Sequence, residues 1–261
     1  MKRLNKIVLA LSILVTLYSC TNETVSQNES VLLQKVVEVS TDGTTATTLL
    51  NYNGDKIVSI DGVATRCDFT YTDDLITKIV EFDKENKTQN TLDYTYFEGK
   101  LVKVNSSNNY VMNFVHNAKG TVSYEKVIKD SGNNQVVVFS GILYFQNENV
   151  TKDERIIYDG GVGVLIKNSA TLEYDYKNNP LKNILGYSKL LDHFNSISSN
   201  NIISSYEVSS YQYMEGQTTS SANIDKMIYK YDGGDYPTEM VSSTSIFGNE
   251  TSDNVKSLLY Y

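Results

Sequence analysis

The feature that most constrains the fold of this chain is a short repeat, in which a tyrosine precedes a turn and two apolar residues follow it. The first three units are anchored by Tyr52, Tyr71 and Tyr96. The apolar residues stand five and eight positions after each anchor: Ile57 and Ile60, Ile76 and Ile79, Leu101 and Val104. The turn formers between them are Asn53-Gly54-Asp55, Thr72-Asp73-Asp74 and Glu98-Gly99-Lys100. Each unit therefore predicts a strand, a tight turn and a second strand.

Four further units follow with less regular spacing, so that seven units cover most of the chain. They are anchored by Phe114, by Phe145, by Tyr174 with Tyr176, and by Tyr229 with Tyr231. Enrichment in Tyr, Val, Ile and Thr favours strands, although such a repeat also arises by chance in a chain rich in Tyr and Asn. We predict an all-β fold, an antiparallel meander of repeated β-hairpins that forms a large curled or partly closed sheet. A β-sandwich is the second choice.

One stretch departs from the strand pattern. Asn179 and Pro180 are typical of the start of a helix, with Asn as N-cap and Pro at the first position. Apolar residues then recur at helical spacing from Leu181 to Phe194, interrupted by Gly186, so we predict one short helix that covers an end or face of the sheet.

Residues Val255 to Tyr261 are predicted to form a last strand. An outer-membrane barrel fits less well, because its strands need about ten residues of alternating lipid-facing apolar character.

The N-terminal segment has the layout of a secretory signal. A basic start with Lys2, Arg3 and Lys6 precedes an apolar run that is too short to span a bilayer, and this run ends at Cys20. That arrangement resembles the lipobox of bacterial lipoproteins, which implies cleavage before Cys20 and acylation of its sulfur and new amino terminus. We predict a signal peptide at 1–19, a lipidated cysteine with a flexible polar tether at 20–30, and a single β domain at 31–261.

The lipobox resemblance also implies a location. Residue Thr21 is not the aspartate that retains some lipoproteins at the inner membrane, so an exported outer-membrane lipoprotein is expected, on either the periplasmic or the surface face. The alternative is a cleaved signal with an incidental cysteine. Lipidation of Cys20 would leave Cys67 alone, without an intrachain disulfide, as a passive small residue.

The charge balance excludes one class of partner. Without the signal, which holds three of the 23 basic residues and no acidic ones, 20 basic residues remain against 31 acidic ones, a net charge of −11. Nucleic-acid binding requires a basic face for the phosphates, so no nucleic acid is expected. The membrane is expected to be a partner only through the lipid on Cys20.

Taken together, the lipobox, the polar tether and hairpins such as residues 52–60 and 94–104 resemble a group of uncharacterised lipoproteins common in Bacteroidota-type bacteria. These distantly resemble the tyrosine-aspartate repeats of RHS proteins. Residues 176–186 carry the resemblance most clearly. It implies a cell-envelope location and a repeated β-hairpin architecture, and it implies no activity.

The sequence contains no recognisable catalytic or metal-binding motif, and we expect no cofactor. Its two histidines, His116 and His193, lack an acidic partner at ligand spacing. Neighbouring carboxylates that could serve a glycosidase lie at turns, where Asp is favoured for structural reasons. These pairs are Asp73-Asp74, Asp153-Glu154 and Asp232 with Asp235.

Tyrosine is the remaining residue type that could form a ligand-binding surface. The chain has 20 Tyr, 8 Phe and no Trp. The rings either pack across strands with their hydroxyls at the rim of the sheet, or form an exposed face that binds a glycan or peptide. The candidate ligand-face residues are Tyr52, Tyr71, Tyr94, Tyr96, Tyr174, Tyr176, Tyr229 and Tyr231.

These observations favour a membrane-anchored envelope lipoprotein that acts as a non-enzymatic binding or scaffold module, with a glycan, a peptide or an envelope protein as its partner. Two alternatives remain open. One is a hydrolase that uses carboxylates, which requires two acids facing each other in a cleft. The other is a carrier of apolar cargo, which requires an enclosed apolar cavity.

Overall fold

The computed structural model describes residues 31–158, 164–213, 216–246 and 249–261. Within these ranges the chain forms sixteen antiparallel strands that follow one another around a closed barrel. The strands are β1 (Lys35–Val39), β2 (Thr45–Asn53), β3 (Lys56–Asp61), β4 (Thr65–Thr72), β5 (Leu75–Asp83), β6 (Thr88–Phe97), β7 (Lys100–Ser106), β8 (Tyr110–His116), β9 (Val122–Lys129), β10 (Gln135–Gln146), β11 (Asn149–Tyr158), β12 (Val164–Tyr174), β13 (Ile202–Tyr213), β14 (Thr218–Tyr231), β15 (Pro237–Ile246) and β16 (Asn249–Tyr260). The predicted all-β antiparallel meander is confirmed.

The sheet closes completely, which corrects the prediction of a curled or partly closed sheet. Strand β1 pairs with β2 on one side and with β16 on the other, from Lys35 opposite Tyr260 to Val39 opposite Lys256. The predicted last strand is therefore the partner that completes the barrel. Closure pairs the backbone groups of strands that would otherwise be sheet edges.

The repeat corresponds to hairpins that share one local geometry. The predicted turns Asn53-Gly54-Asp55, Asp73-Asp74 and Glu98-Gly99 join β2 to β3, β4 to β5 and β6 to β7. A shift in strand register, typical of a β-bulge, occurs directly before an anchor in many of the hairpins. These anchors are Tyr52, Tyr71, Tyr96, Phe145, Tyr174 and Tyr231. All these hairpins place their anchors at the same end of the barrel, because the strands alternate in direction.

That end of the barrel is filled by residues 175–201, which connect β12 to β13 and which we call the plug. The plug contacts hairpins all around the barrel: Leu185 N–H donates to Asp55 O at 3.0 Å, Ser199 N–H to Glu148 O at 3.3 Å, and the backbone of the β14–β15 turn accepts from Asn178. Its apolar residues join the buried core of the strands: Ile184, Tyr187, Leu190, Leu191 and Ile197. We call this the plugged end.

The plug is not the single helix predicted for Leu181 to Phe194, which was wrong. It contains two short 3₁₀ helices, Tyr187–Lys189 and Leu191–His193. Gly186 before them has φ +73°, and a Cβ there would lie 2.7 Å from Asp74 O, so this position requires glycine and interrupts any longer helix. Among the described residues, no helix is long and apolar enough to cross a membrane.

The two faces of the barrel wall differ in chemistry. Near the plugged end the inner face is apolar and buried, with residues such as Ile57, Ile76, Ile79, Leu101 and Val104. The outer face carries ion pairs along several strands: Lys78 with Asp93 at 3.5 Å, Arg66 with Asp68 at 2.8 Å, and Lys152 with Glu154 at 2.5 Å. The core of the molecule therefore lies between the wall and the plug.

Candidate functional site

A groove of about 650 Å³ runs across strands β8 to β13. The lining side chains are cross-strand partners that share one face, such as Ile142 opposite both Ser123 and Glu154. Their neighbours along the strands, Leu143 and Asp153, are buried on the other face. Because side chains alternate along a strand, the groove lies on the outer face of the barrel, on the side of the sheet away from the core.

The groove combines an aliphatic floor with many polar groups. Its apolar residues are Val115, Ile142, Ile156 and Val208. Its hydroxyl and amide residues are Asn113, Ser123, Ser140, Ser169 and Ser210. Binding sites for organic ligands usually show this combination, in which apolar surface supplies affinity and a few polar groups fix orientation.

Two carboxylates and one ammonium group supply charge to the groove. Glu154 accepts hydrogen bonds from Lys152 Nζ at 2.5 Å and from Tyr144 OH at 2.7 Å, and these bonds hold the pKa of Glu154 below its usual range. Glu125 accepts from Asn113 Nδ2 at 3.0 Å. Lys167 lies among the lining residues and is exposed. Lys152 neutralises Glu154 within the protein, so the groove offers one anionic contact, Glu125, and one cationic contact, Lys167, to a ligand.

A buried cluster on the core side of the sheet supports the groove from beneath. Tyr124 OH donates to Asp153 Oδ1 at 2.5 Å, and Arg155 donates to both, to Tyr124 OH at 2.9 Å and to Asp153 Oδ2 at 3.1 Å. Burial raises the pKa of Asp153, and this effect is larger than the lowering of the pKa by the hydrogen bonds from Tyr124 and Arg155. Gly141 permits this packing, because a Cβ there would lie 2.5 Å from the Tyr124 ring. The cluster fixes the backbone of β9 to β11 under the groove.

The candidate ligand-face tyrosines are placed mainly between wall and plug. Several anchor hydroxyls donate to backbone carbonyls: Tyr52 to Leu33 O at 2.7 Å, Tyr71 to Leu185 O at 3.0 Å, Tyr96 to Ile76 O at 2.8 Å, Tyr174 to Val150 O at 2.7 Å and Tyr229 to Ile202 O at 2.8 Å. Tyr94 and Tyr231 donate to the carboxylates of Asp192 and Asp175 in the plug. Tyr176 is 98% exposed. These residues do not lie together on one open surface.

The neighbouring carboxylates singled out in the sequence are separated or held in turns. Asp153 and Glu154 lie on opposite faces of β11. Asp232 Oδ1 accepts from the backbone of Gly234 at 2.8 Å and of Tyr236 at 2.9 Å, which is a turn geometry. Asp235 pairs with Lys177 at 2.6 Å. In the described ranges, no group of three or more His, Cys, Asp or Glu could hold a metal ion.

The two histidines lie at the plugged end. His116 Nε2 is 2.8 Å from Leu101 O. His193 Nε2 is 3.4 Å from Tyr94 OH and 3.7 Å from Asp192 Oδ2. Asp192 is nearly buried, burial raises its pKa, and its Oδ1 has no hydrogen-bond partner among the described residues. This cluster links the plug to β6, inside the barrel.

Sequence reasoning did not find the groove. The signal that could have found it is a second apolar face: Val115, Ile142, Ile156 and Val208 stand at outward positions on four different strands. The repeat instead marks the inward-facing positions near the turns. Locating the outward set requires the register of six consecutive strands, β8 to β13, in addition to the turns between them.

Comparison with known proteins supports the fold alone. No protein-family model matches the chain, and no curated protein matches it. A porin-like protein from Bacteroides vulgatus has a similar structure, with a TM-score of 0.55, 12% identity, and coverage of 88% of this chain and 98% of that one. A porin-like protein from Bacteroides uniformis gives a TM-score of 0.41 at 11% identity, over 87% of this chain and 96% of that one. The chain is therefore similar in fold to the first of these porin-like barrels.

Proposed function

We propose that this protein is a cell-envelope lipoprotein, anchored by Cys20, that binds extended peptide segments without catalysis in the groove across β8 to β13. The observation that carries the proposal is the groove itself, with an aliphatic floor on an otherwise charged outer face. The resemblance to Bacteroidota-type lipoproteins supports the anchor, which lies outside the described residues, and the outer membrane as its location. The similarity in fold to a porin-like protein is compatible with an envelope protein.

A peptide suits the groove better than a glycan does. Sugars commonly stack on aromatic rings, whereas the floor here is made of Val and Ile. An extended peptide presents alternate side chains to one surface, which matches a floor built from alternate strand positions. Glu125, which accepts from the neutral amide of Asn113, favours a peptide that also carries a lysine or arginine.

The charged outer wall favours a barrel that stands in water over one that spans a bilayer. A membrane-spanning barrel presents an apolar band about 25 Å tall, and a Lys at its midplane costs about 2–4 kcal/mol. Here Lys78 and Asp93 face outward in the middle of β5 and β6. Water around the wall leaves the groove accessible to a peptide.

The hydrolase alternative lacks support from the groove carboxylates. A general acid needs a raised pKa, yet the pKa of Glu154 is lowered by Lys152 and Tyr144. The neighbouring carboxyl with a raised pKa, Asp153, lies on the opposite face of the sheet. The two groups therefore cannot act together on one substrate.

Fluorescence anisotropy tests the binding proposal. The probes are fluorescein-labelled octapeptides with leucine or valine at alternate positions and one lysine, and the protein lacks residues 1–20. We expect saturable binding that Ile156→Asp weakens by at least about ten-fold, which is 1.4 kcal/mol, because the new carboxylate lies in the apolar floor. The matched control is Ile228→Asp, at an outward isoleucine that is 72% exposed and outside the groove. Equal affinity of the two variants, or no saturable binding to any probe, would refute the proposal.

Metabolic labelling tests the anchor. The wild-type chain is expected to incorporate labelled palmitate, and Cys20→Ala to lose the label. Cys67→Ala is the control, because Cys67 lies in β4 within the barrel, and this variant should keep the label. Label retained in Cys20→Ala would contradict the anchoring.

A further inference from the structure

The point at which the chain enters the barrel determines how a lipid anchor would orient it. The described chain begins beside the plug, where Asn183 Nδ2 donates to Val31 O at 2.9 Å. Gln34 N–H then donates to Tyr260 O at 2.8 Å, next to the start of β1. Val31, where the described residues begin, therefore lies at the plugged end.

The length of that segment limits the distance between barrel and bilayer. Eleven peptide units separate Cys20 from Val31, and their fully extended length is about 36–40 Å. A lipid on Cys20 would therefore keep the plugged end within about 40 Å of the headgroups.

Two aromatic residues protrude from this same end. Phe97 at the tip of the β6–β7 hairpin is 66% exposed, and Tyr176 at the start of the plug is 98% exposed. Phe97 is followed by Glu98 and Lys100, and Tyr176 by Lys177, which is paired with Asp235. Exposed aromatic side chains are typical of surfaces that contact the interfacial region of a bilayer.

Charged residues on the wall limit how deep such a contact can be. Glu239 on β15 binds Lys230 and Lys256, both at 2.8 Å, on the outer face. Lys230 is one residue from the end of β14 at the plugged end. Burying these charges in hydrocarbon is unfavourable, so only the protruding side chains can enter the interface.

We propose that the plugged end is a membrane-contact surface, on which Phe97 and Tyr176 insert into the headgroup region and direct the opposite end of the barrel away from the bilayer. The proposal rests on the lipid anchor of the proposed function and is independent of peptide binding. The lipid surface that the plugged end contacts is zwitterionic, because an anionic surface would repel the acidic mature chain.

The absence of tryptophan from the sequence allows a direct test. Phe97→Trp and Tyr176→Trp each introduce a single reporter at the plugged end. Val63→Trp is the matched control, because Val63 is 69% exposed and lies between β3 and β4 at the opposite end. The mature lipidated proteins are reconstituted on phosphatidylcholine vesicles with and without bromine on the acyl chains, and flotation with the vesicles is measured in parallel.

We expect all three variants to float. Brominated lipid should quench the indole emission of Phe97→Trp and of Tyr176→Trp, while Val63→Trp keeps its full emission. Proteins that float with equal quenching at all three positions, or with none, would overturn the contact surface and leave the anchor intact. Proteins that fail to float would overturn the anchor and, with it, this proposal. The same variants with Cys20→Ala, which lack the lipid, should show neither flotation nor quenching.

Discussion

Removal of one buried hydroxyl, in Tyr71→Phe, tests how the repeat holds the plug in the barrel. Tyr71 OH donates to Leu185 O in the plug at 3.0 Å and accepts from Ile57 N–H in β3 at 3.1 Å. Burial raises the pKa of this phenol to about 12, so it is neutral and able to donate at neutral pH. The substitution keeps the ring and removes both bonds.

The expected loss follows from these two contacts. Each hydrogen bond contributes about 0.5–1.5 kcal/mol, so the free energy of unfolding should fall by about 1–3 kcal/mol. For a domain of this size, each kcal/mol lowers the melting temperature by about 2–4 °C. Urea unfolding followed by circular dichroism measures the change, and an unaltered m-value would show that the unfolded reference is unchanged.

The matched control is Tyr176→Phe, whose ring is almost fully exposed. Its effect should remain within about 0.5 kcal/mol, as for other surface substitutions. If Tyr71→Phe were as stable as Tyr176→Phe, the hydroxyl contacts would not hold the plug, and the structural role assigned to the anchors would be refuted.

Three further predictions follow from the buried groups. Gly141→Ala should destabilise the protein by at least about 1–3 kcal/mol in the same assay, because its Cβ meets the Tyr124 ring and a backbone oxygen; unchanged stability would contradict this packing. Cys67 should react slowly with iodoacetamide in the folded protein and quickly in urea, because burial raises its pKa to about 11; equal rates would contradict its burial. Burial raises the pKa of Asp192, so the folded state binds this proton more tightly than the unfolded chain. The free energy of unfolding should therefore fall as the pH rises from 3.8, the ordinary pKa of Asp, to the raised pKa of Asp192 in the folded state. Asp192→Asn should lack that slope in urea titrations between about pH 4 and pH 8, and an identical slope in both proteins would show that Asp192 does not cause it.

Local chemistry made the hairpins predictable. Turn formers such as Asn53-Gly54 permit positive φ, and Gly54 has φ +64°. The three-residue spacing within each apolar pair follows from the extra residue of the bulge on the second strand, such as Thr77, which brings both Ile76 and Ile79 to the core. The strand type and the turn positions could therefore be derived without the structure.

Closure of the barrel could not be derived, because it depends on pairing between distant segments. Strand β1 has no anchor tyrosine and pairs with β16 across more than 200 residues of sequence. The sequence wrongly predicts a helix in the plug because the apolar residues there have helical spacing. Contacts such as the hydrogen bond from Leu185 N–H to Asp55 O at 3.0 Å, however, fix its backbone to the wall. Tertiary packing overrides local propensity at such positions.

The groove was also hidden from sequence reasoning, for a related reason. Ile142 and Ile156 are outward residues on strands whose inward residues form the core. An apolar residue at an outward position has no local mark that separates it from an ordinary surface residue. The register of the consecutive strands β8 to β13 brings Val115 and Val208 to the same surface.

The claim that the barrel stands in water beside the bilayer is tested most directly by thiol accessibility at the middle of its wall. Asp93→Cys places a thiol at an outward position on β6, where the acid is paired with Lys78. The mature lipidated variant is anchored on vesicles and treated with a membrane-impermeant maleimide. We predict labelling as fast as for the same variant produced without residues 1–20, which carries no lipid. Protection of the introduced thiol on vesicles, with rapid labelling only in the protein without lipid, would show that the wall is buried in lipid and would contradict this account.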